Sequence, residues 1–224
     1  MKIRKSEEPI VFFGVIAVLI TLFVVIVLPP TFLNNILNKN QGAEGSDMLN
    51  IKTRHHKELS ESEWKHFHYA VSECRAVIKE SLFLQERADF WEIHGIEPEV
   101  GYTAWLFQES RFDGDTIGDN GRAHGYGQIH PPALSEMNLI RKERGDRVFS
   151  HQELVGKSRE RLRFFLHSIH DYGSLCPRNA DKNLDLKLNF WNGGCSGGSA
   201  TETVHSGRIK SFILQYYKRK QGKH

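Results

Sequence analysis

The sequence has little net charge, no alternation of apolar and polar residues long enough to build a sheet, and no internal repeat. A formal charge of +3 over 224 residues is too weak to argue for nucleic acid as a partner, although it suits a polyanionic wall or a membrane surface. Without strand alternation the fold is expected to be mostly α, and the length leaves room for one ordinary domain plus attachments. No His-Glu-x-x-His pair occurs, so His55-His56, His66 with His68, and His167 with His170 read as solvated surface residues. No metal and no other cofactor is expected.

Charge is missing altogether from Ile10 to Leu28, a run long enough to cross a bilayer. It is followed by Pro29-Pro30 rather than by small residues suited to a signal peptidase, so it reads as an uncleaved anchor over 10–28. Lys2, Arg4 and Lys5 precede it, and no positive charge follows until Lys39. That asymmetry leaves residues 1–9 in the cytoplasm and exports nearly all the rest. The expected location is a bacterial inner membrane crossed once, with the body facing the periplasm or wall. There disulfides can persist, and of the three cysteines Cys176 and Cys195 are the favoured pair, with Cys74 left over. Three ordinary small apolar side chains are the competing reading.

Residues 29–59 are rich in Asn, Gly, Lys and Ser and have no sustained apolar period, which suits a tether. Ser60 and Glu63 form a capping-box signal that opens the body at 60–224. A helix is expected from there to about Ile93, with Trp64, Phe67, Val71, Cys74 and Ile78 on one face and Gly95 as its break. Pro98 belongs in the first turn of a second helix reaching about Ser110. A loop rich in Gly and Asp spans 112–127. Further helical pattern runs from Pro132, from Ser150 to about Tyr172, from Leu184 to Trp191, and from Ile209 to Tyr217.

Three short segments stand out in order: Gln108-Glu109-Ser110-Arg111-Phe112, then Gly125-Tyr126-Gly127-Gln128-Ile129, then Asn189-Phe190-Trp191-Asn192-Gly193-Gly194. On a helix, Glu109 has Trp105 and Leu106 one turn back, so its carboxyl should be partly desolvated and its pKa raised. A carboxyl still protonated near neutral pH is what a general acid needs at a glycosidic oxygen. The plain alternative is a surface glutamate paired with Arg111. Glycines in the loop, Gly125 among them, permit tight backbone turns, and Gln128 can both donate and accept hydrogen bonds.

Together the segments resemble the lytic transglycosylases of the lysozyme-like superfamily (SLT-type), known by a Glu-Ser, a Gly-Leu-Met-Gln and a Tyr-Asn-Gly-type motif. The resemblance spans about Ile93 to Tyr217. It implies a lysozyme-like helical domain, peptidoglycan glycan strands as substrate, and Glu109 as the acid that then turns base. It further implies that Ser110, Gly125, Tyr126, Gln128, Ile129, Trp191 and Asn192 line the cleft. In that family the N-acetyl group of the muramic sugar stabilises C1 and the sugar's 6-hydroxyl attacks it, leaving a 1,6-anhydro end. Two departures are plain: Trp191 stands for the usual tyrosine, and Gly127 for a methionine, a space that Tyr126 is expected to refill.

A hydrolytic lysozyme is the nearest rival and would need Asp113, Asp115 or Asp119 as a second carboxylate. A non-catalytic peptidoglycan-binding assembly factor is a third reading. A cysteine peptidase built on Cys195 and His205 lacks any feature that would lower the thiol pKa. A calcium loop at Asp113-Gly114-Asp115 and Asp119 fails because Ile117 and His124 stand where oxygen ligands are needed. An anchored enzyme on a short tether acts locally, and a secretion, conjugation or phage complex is the kind of partner that fits.

Overall fold

The computed structural model describes residues 51–174, 183–197 and 201–222, apart from the side chains of 193 and 195–197. Among these, eight α-helices follow in order: α1 (Glu61–Lys79), α2 (Leu82–Gln85), α3 (Asp89–Glu92), α4 (Pro98–Ser110), α5 (Pro131–Arg144), α6 (Arg159–Ser174), α7 (Leu184–Gly197) and α8 (Val204–Lys220). Two strands of two residues, β1 (Ile117–Gly118) and β2 (Ala123–His124), pair antiparallel in the loop between α4 and α5. The fold is thus mostly α, as the missing strand pattern predicts. None of the described helices is long and apolar enough to cross a membrane. The expected span 10–28, residues 1–9, most of the tether and the Cys176–Cys195 pair lie outside what is described.

Helix α4 lies at the centre. Glu97 caps it with extended backbone, Pro98 opens it where no amide donor is needed, and Glu99 faces the positive end of its dipole. From Val100 to Phe107 every side chain is buried, and a helix apolar all round must be covered all round. Helices α1 and α8 pack along it, and α3 closes its first turn. Gly101 is required there, because a β-carbon would run into the Trp91 ring. Tyr217 at the end of α8 ties the two helices together by accepting from the Glu97 amide at 2.7 Å.

Helix α1 starts as expected, with the complete Ser60–Glu63 capping box. It stops at Lys79, short of Ile93, because Ser81 turns extended (φ −125°, ψ 105°) and caps α2. The Ser81 hydroxyl meets His167 Nε2 at 2.9 Å, a contact 86 residues away in sequence. The helix expected from Ser150 begins only at Arg159. Before it, Val155 is extended and Gly156 takes φ 130°, so that its amide reaches the Gly114 carbonyl at 2.8 Å. Gly95, expected to end the first helix, does break the chain, with φ 70° after α3.

The histidines divide. His56, His66 and His68 are exposed, but His167 and His170 are buried against expectation. His167 bonds Ser81, and His170 bonds the Tyr102 hydroxyl. Burial pushes His167 down to about 3 and His170 well below its ordinary value. Cys74 is a free, buried thiol that burial pushes up to about 12, so it is inert.

The last nine residues of the expected tether are docked rather than loose. Ile51 and Leu59 are buried, and the polar residues between them bond α8. Thr53 donates to the Gly207 carbonyl at 3.0 Å, the Lys57 amide donates to Ser211 Oγ at 3.1 Å, and Gln215 Nε2 donates to the Lys57 carbonyl at 2.6 Å. Polar composition suggests a spacer only where the backbone finds no partner; here α8 supplies one.

Candidate active site

The first motif ends α4. Ser110 is buried, donating to the Leu106 carbonyl at 3.3 Å and accepting from the Asp113 amide at 3.2 Å. It was expected at the substrate, but its hydroxyl is engaged in closing the helix. Arg111 and Phe112 follow with φ 60° and 58°, left-handed backbone that ordinarily costs on the order of 1–3 kcal/mol per residue. Packing holds it: Phe112 is buried against Tyr126 with ring centres 5.0 Å apart, and His66 Nε2 donates to the Arg111 carbonyl at 2.9 Å.

Glu109 sits just before this turn, with Trp105 and Leu106 fully buried one turn back. Its side chain is 14% exposed, but Oε1 is completely covered and receives no hydrogen bond. Burial raises the carboxyl to about 8, in the direction the two apolar neighbours predict. His205 Nε2, in the first turn of α8, lies 3.2 Å from Oε1. Burial, helped by the charge of Arg208, pushes His205 down to about 4. Burial thus disfavours the charged form of both partners. Sequence reading placed His205 only as a base for Cys195. Thr203 and Ser206 form the capping box of α8, a signal that would have put His205 at a helix start.

The second motif builds the loop. Gly125 has φ 73°, and a β-carbon there would meet the Leu154 carbonyl and the Phe165 ring. Gln128, itself at φ 50°, donates through Nε2 to the carbonyls of Thr116 (3.1 Å) and Gly125 (2.9 Å). Those donors hold the hairpin, which accounts for a glutamine at this position without any sugar. Ile129 is buried, and its backbone pairs with His124. Tyr126 points into the core between Phe112 and Phe165. It does not refill the space at Gly127, where a β-carbon would lie 2.8 Å from Phe165 and 3.2 Å from Trp191. Those two rings occupy it.

Trp191 of the third motif donates from Nε1 to the Gly127 carbonyl at 3.2 Å and stacks edge-on against Trp105 at 4.5 Å. The three motifs are thereby linked: Trp191 touches the loop on one side and the residue one turn before Glu109 on the other. Gln128, Ile129, Trp191 and the exposed Asn192 line a cavity of about 230 Å³. Tyr126 lines a second, of about 460 Å³, with Arg111, His66 and Tyr69. Glu109 is in the lining of neither. Asn189 is turned away from both, accepting from Thr203 Oγ1 at 2.5 Å and donating to the Thr201 carbonyl at 2.8 Å.

The loop aspartates are all beside cations. Lys157 lies 3.0 Å from Asp113 and 3.1 Å from Asp115, while Arg122 lies 3.0 Å from Asp119. Against the raising effect of burial, the bond from Lys157 draws the Asp113 carboxyl below its ordinary value. Among the described residues no group of three or more His, Cys, Asp or Glu could hold a metal ion. No protein-family model, no curated protein and no solved structure matches the chain.

Proposed function

We propose that the protein is an enzyme of the lysozyme-like class, which breaks a glycosidic bond with a buried carboxylic acid. More narrowly, it is a lytic transglycosylase that cuts the β-1,4 bond between N-acetylmuramic acid and N-acetylglucosamine in peptidoglycan. The observation that carries this is Glu109: a carboxyl held up to about 8 by burial at the end of the central helix, with the other two motifs joined to it through Trp191 and Trp105.

A carboxyl that stays protonated at pH 7 can give its proton to the leaving oxygen as the bond breaks. Having done so it is a carboxylate, and it can take a proton from the hydroxyl that attacks C1. Inverting and most retaining glycosidases need a second free carboxylate for the attacking step. Asp113, Asp115 and Asp119 are each paired with a cation in the loop, and attack by the sugar's own 6-hydroxyl, which needs no second carboxylate, is the reading that the resemblance implies. Ile10–Leu28 as an inner-membrane anchor would place this chemistry at the wall, and no cofactor enters it. Local action beside a secretion, conjugation or phage complex follows from the anchoring.

The test is digestion of purified sacculi by the full chain, with mass analysis of the products. Muropeptides with 1,6-anhydro ends are expected, and Glu109→Gln should lower their yield at least 1000-fold, on the order of losing an essential acid. Reducing ends would assign hydrolysis instead. Undiminished digestion by the Gln variant would remove Glu109 from the chemistry.

A further inference from the structure

The Glu109–His205 contact is not explained by folding alone. Oε1 of Glu109 and Nε2 of His205 are both covered, both lack a hydrogen bond, and lie 3.2 Å apart. A covered polar atom without a partner costs about 1–3 kcal/mol, and here two face one another. They are within reach but off the line of a good hydrogen bond, which is common where the bond tightens only with substrate in place. Oε2 of Glu109 is not among the covered atoms.

We infer that His205 is a positioning residue: its neutral ring donates from Nε2 to Oε1 of Glu109 and so assigns the transferable proton to Oε2. The inference rests on reading Glu109 as the general acid. While Glu109 is protonated, Oε1 is the carbonyl oxygen and accepts from Nε2, so the acid proton must sit on Oε2. That proton passes to the glycosidic oxygen as its bond to C1 breaks. The 6-hydroxyl oxygen then bonds C1 and its proton returns to Oε2, so the enzyme ends as it began. His205 keeps its own proton throughout. Its donation matters most between the two transfers, when Glu109 is a buried carboxylate and a neutral donor stabilises it.

The other charged or titratable groups around this end of α4 are compatible with that role. Arg208 on α8 disfavours a charge on His205, and Arg111 just after α4 has its guanidinium against the Phe107 and Phe212 rings. His66 of α1 is bonded to the Arg111 carbonyl, and Asp113 of the loop is held by Lys157. None of them takes the place of a donor at Oε1. The ring's contact with Glu109 also counts against its serving Cys195 as a base.

The experiment compares the full-length wild type with His205→Ala, His205→Gln and Glu109→Gln on sacculi across pH 5–10. Loss of a donor to a carboxylate raises its pKa. His205→Ala should therefore shift the alkaline limb of kcat/KM to higher pH and lower kcat about 10- to 100-fold, the worth of one hydrogen bond to a charged group. His205→Gln, which keeps an N–H near the same place, should restore the limb and most of the rate. An unmoved limb in His205→Ala, or no rescue by Gln, overturns the inference even if Glu109→Gln is inactive. An active Glu109→Gln instead overturns the reading of Glu109. Should the Ala variant not fold, nitrogen NMR of the histidine rings of the wild type decides: a neutral His205 protonated at Nε2 is expected, and one protonated only at Nδ1 ends the proposal.

Discussion

At the scale of single residues, Glu109 makes the protein's stability depend on pH with a definite sign. The carboxyl ionises near 4.5 in an ordinary setting and only near about 8 when folded. Between those values the native state holds a proton that the unfolded chain has released, so stability falls as pH rises through that window. Glu109→Gln removes the titrating group. Its melting temperature should match the wild type near pH 5 and exceed it by several degrees at pH 8, since each unit of difference is worth about 1.4 kcal/mol. Thermal unfolding at the two pH values checks this, and an offset that does not change with pH would count against a buried neutral acid. The residue proposed as the acid therefore lowers stability near neutral pH, a common cost where a functional group is buried.

Among the elements, the junction of the Gly-rich loop with α6 and α7 shows why a glycine at 127 goes with a tryptophan at 191. Trp191 is larger than a tyrosine and Gly127 smaller than a methionine, and the Trp191 and Phe165 rings stand where the methionine would be. The large ring and the missing side chain fit one another. Gly127→Met alone should destabilise by about 1–3 kcal/mol through overpacking. In a Trp191→Tyr background the same change should cost clearly less, because the smaller ring vacates part of the space. Denaturant unfolding of the four chains gives the coupling. Strict additivity would mean that the two positions do not share one volume.

Over the whole described body, the segment 51–59 behaves as part of the fold. Deleting it removes four hydrogen bonds to α8 and exposes the surface now covering Ile51 and Leu59. A chain starting at residue 60 should melt at least several degrees below one starting at residue 51, as burial of an aliphatic side chain contributes about 1.5–3 kcal/mol. Equal melting temperatures would show the segment to be an ornament. The described body is then best taken to include Ile51–Leu59 rather than to start at Ser60. The segment runs along α8 from Gly207, two positions beyond His205, to Gln215.

What local sequence could determine, it did. The Ser60–Glu63 box, Pro98 and the apolar neighbours of Glu109 act within one or two helical turns, and each is found where those short-range forces put it. The ends of α1 and α6, the burial of His167 and His170, the docking of 51–59 and the engagement of Gln128 with its own loop were decided elsewhere. They depend on Ser81 meeting His167, on Gly156 meeting Gly114, and on α8 offering polar groups to a passing backbone. His205 belongs to that second set. Its distance from Glu109 is 96 positions along the chain, and only the packing of α8 on α4 brings the two within 3.2 Å. Propensities and caps are properties of a few neighbouring residues, whereas a pair of partnerless atoms facing one another exists only once the core has closed.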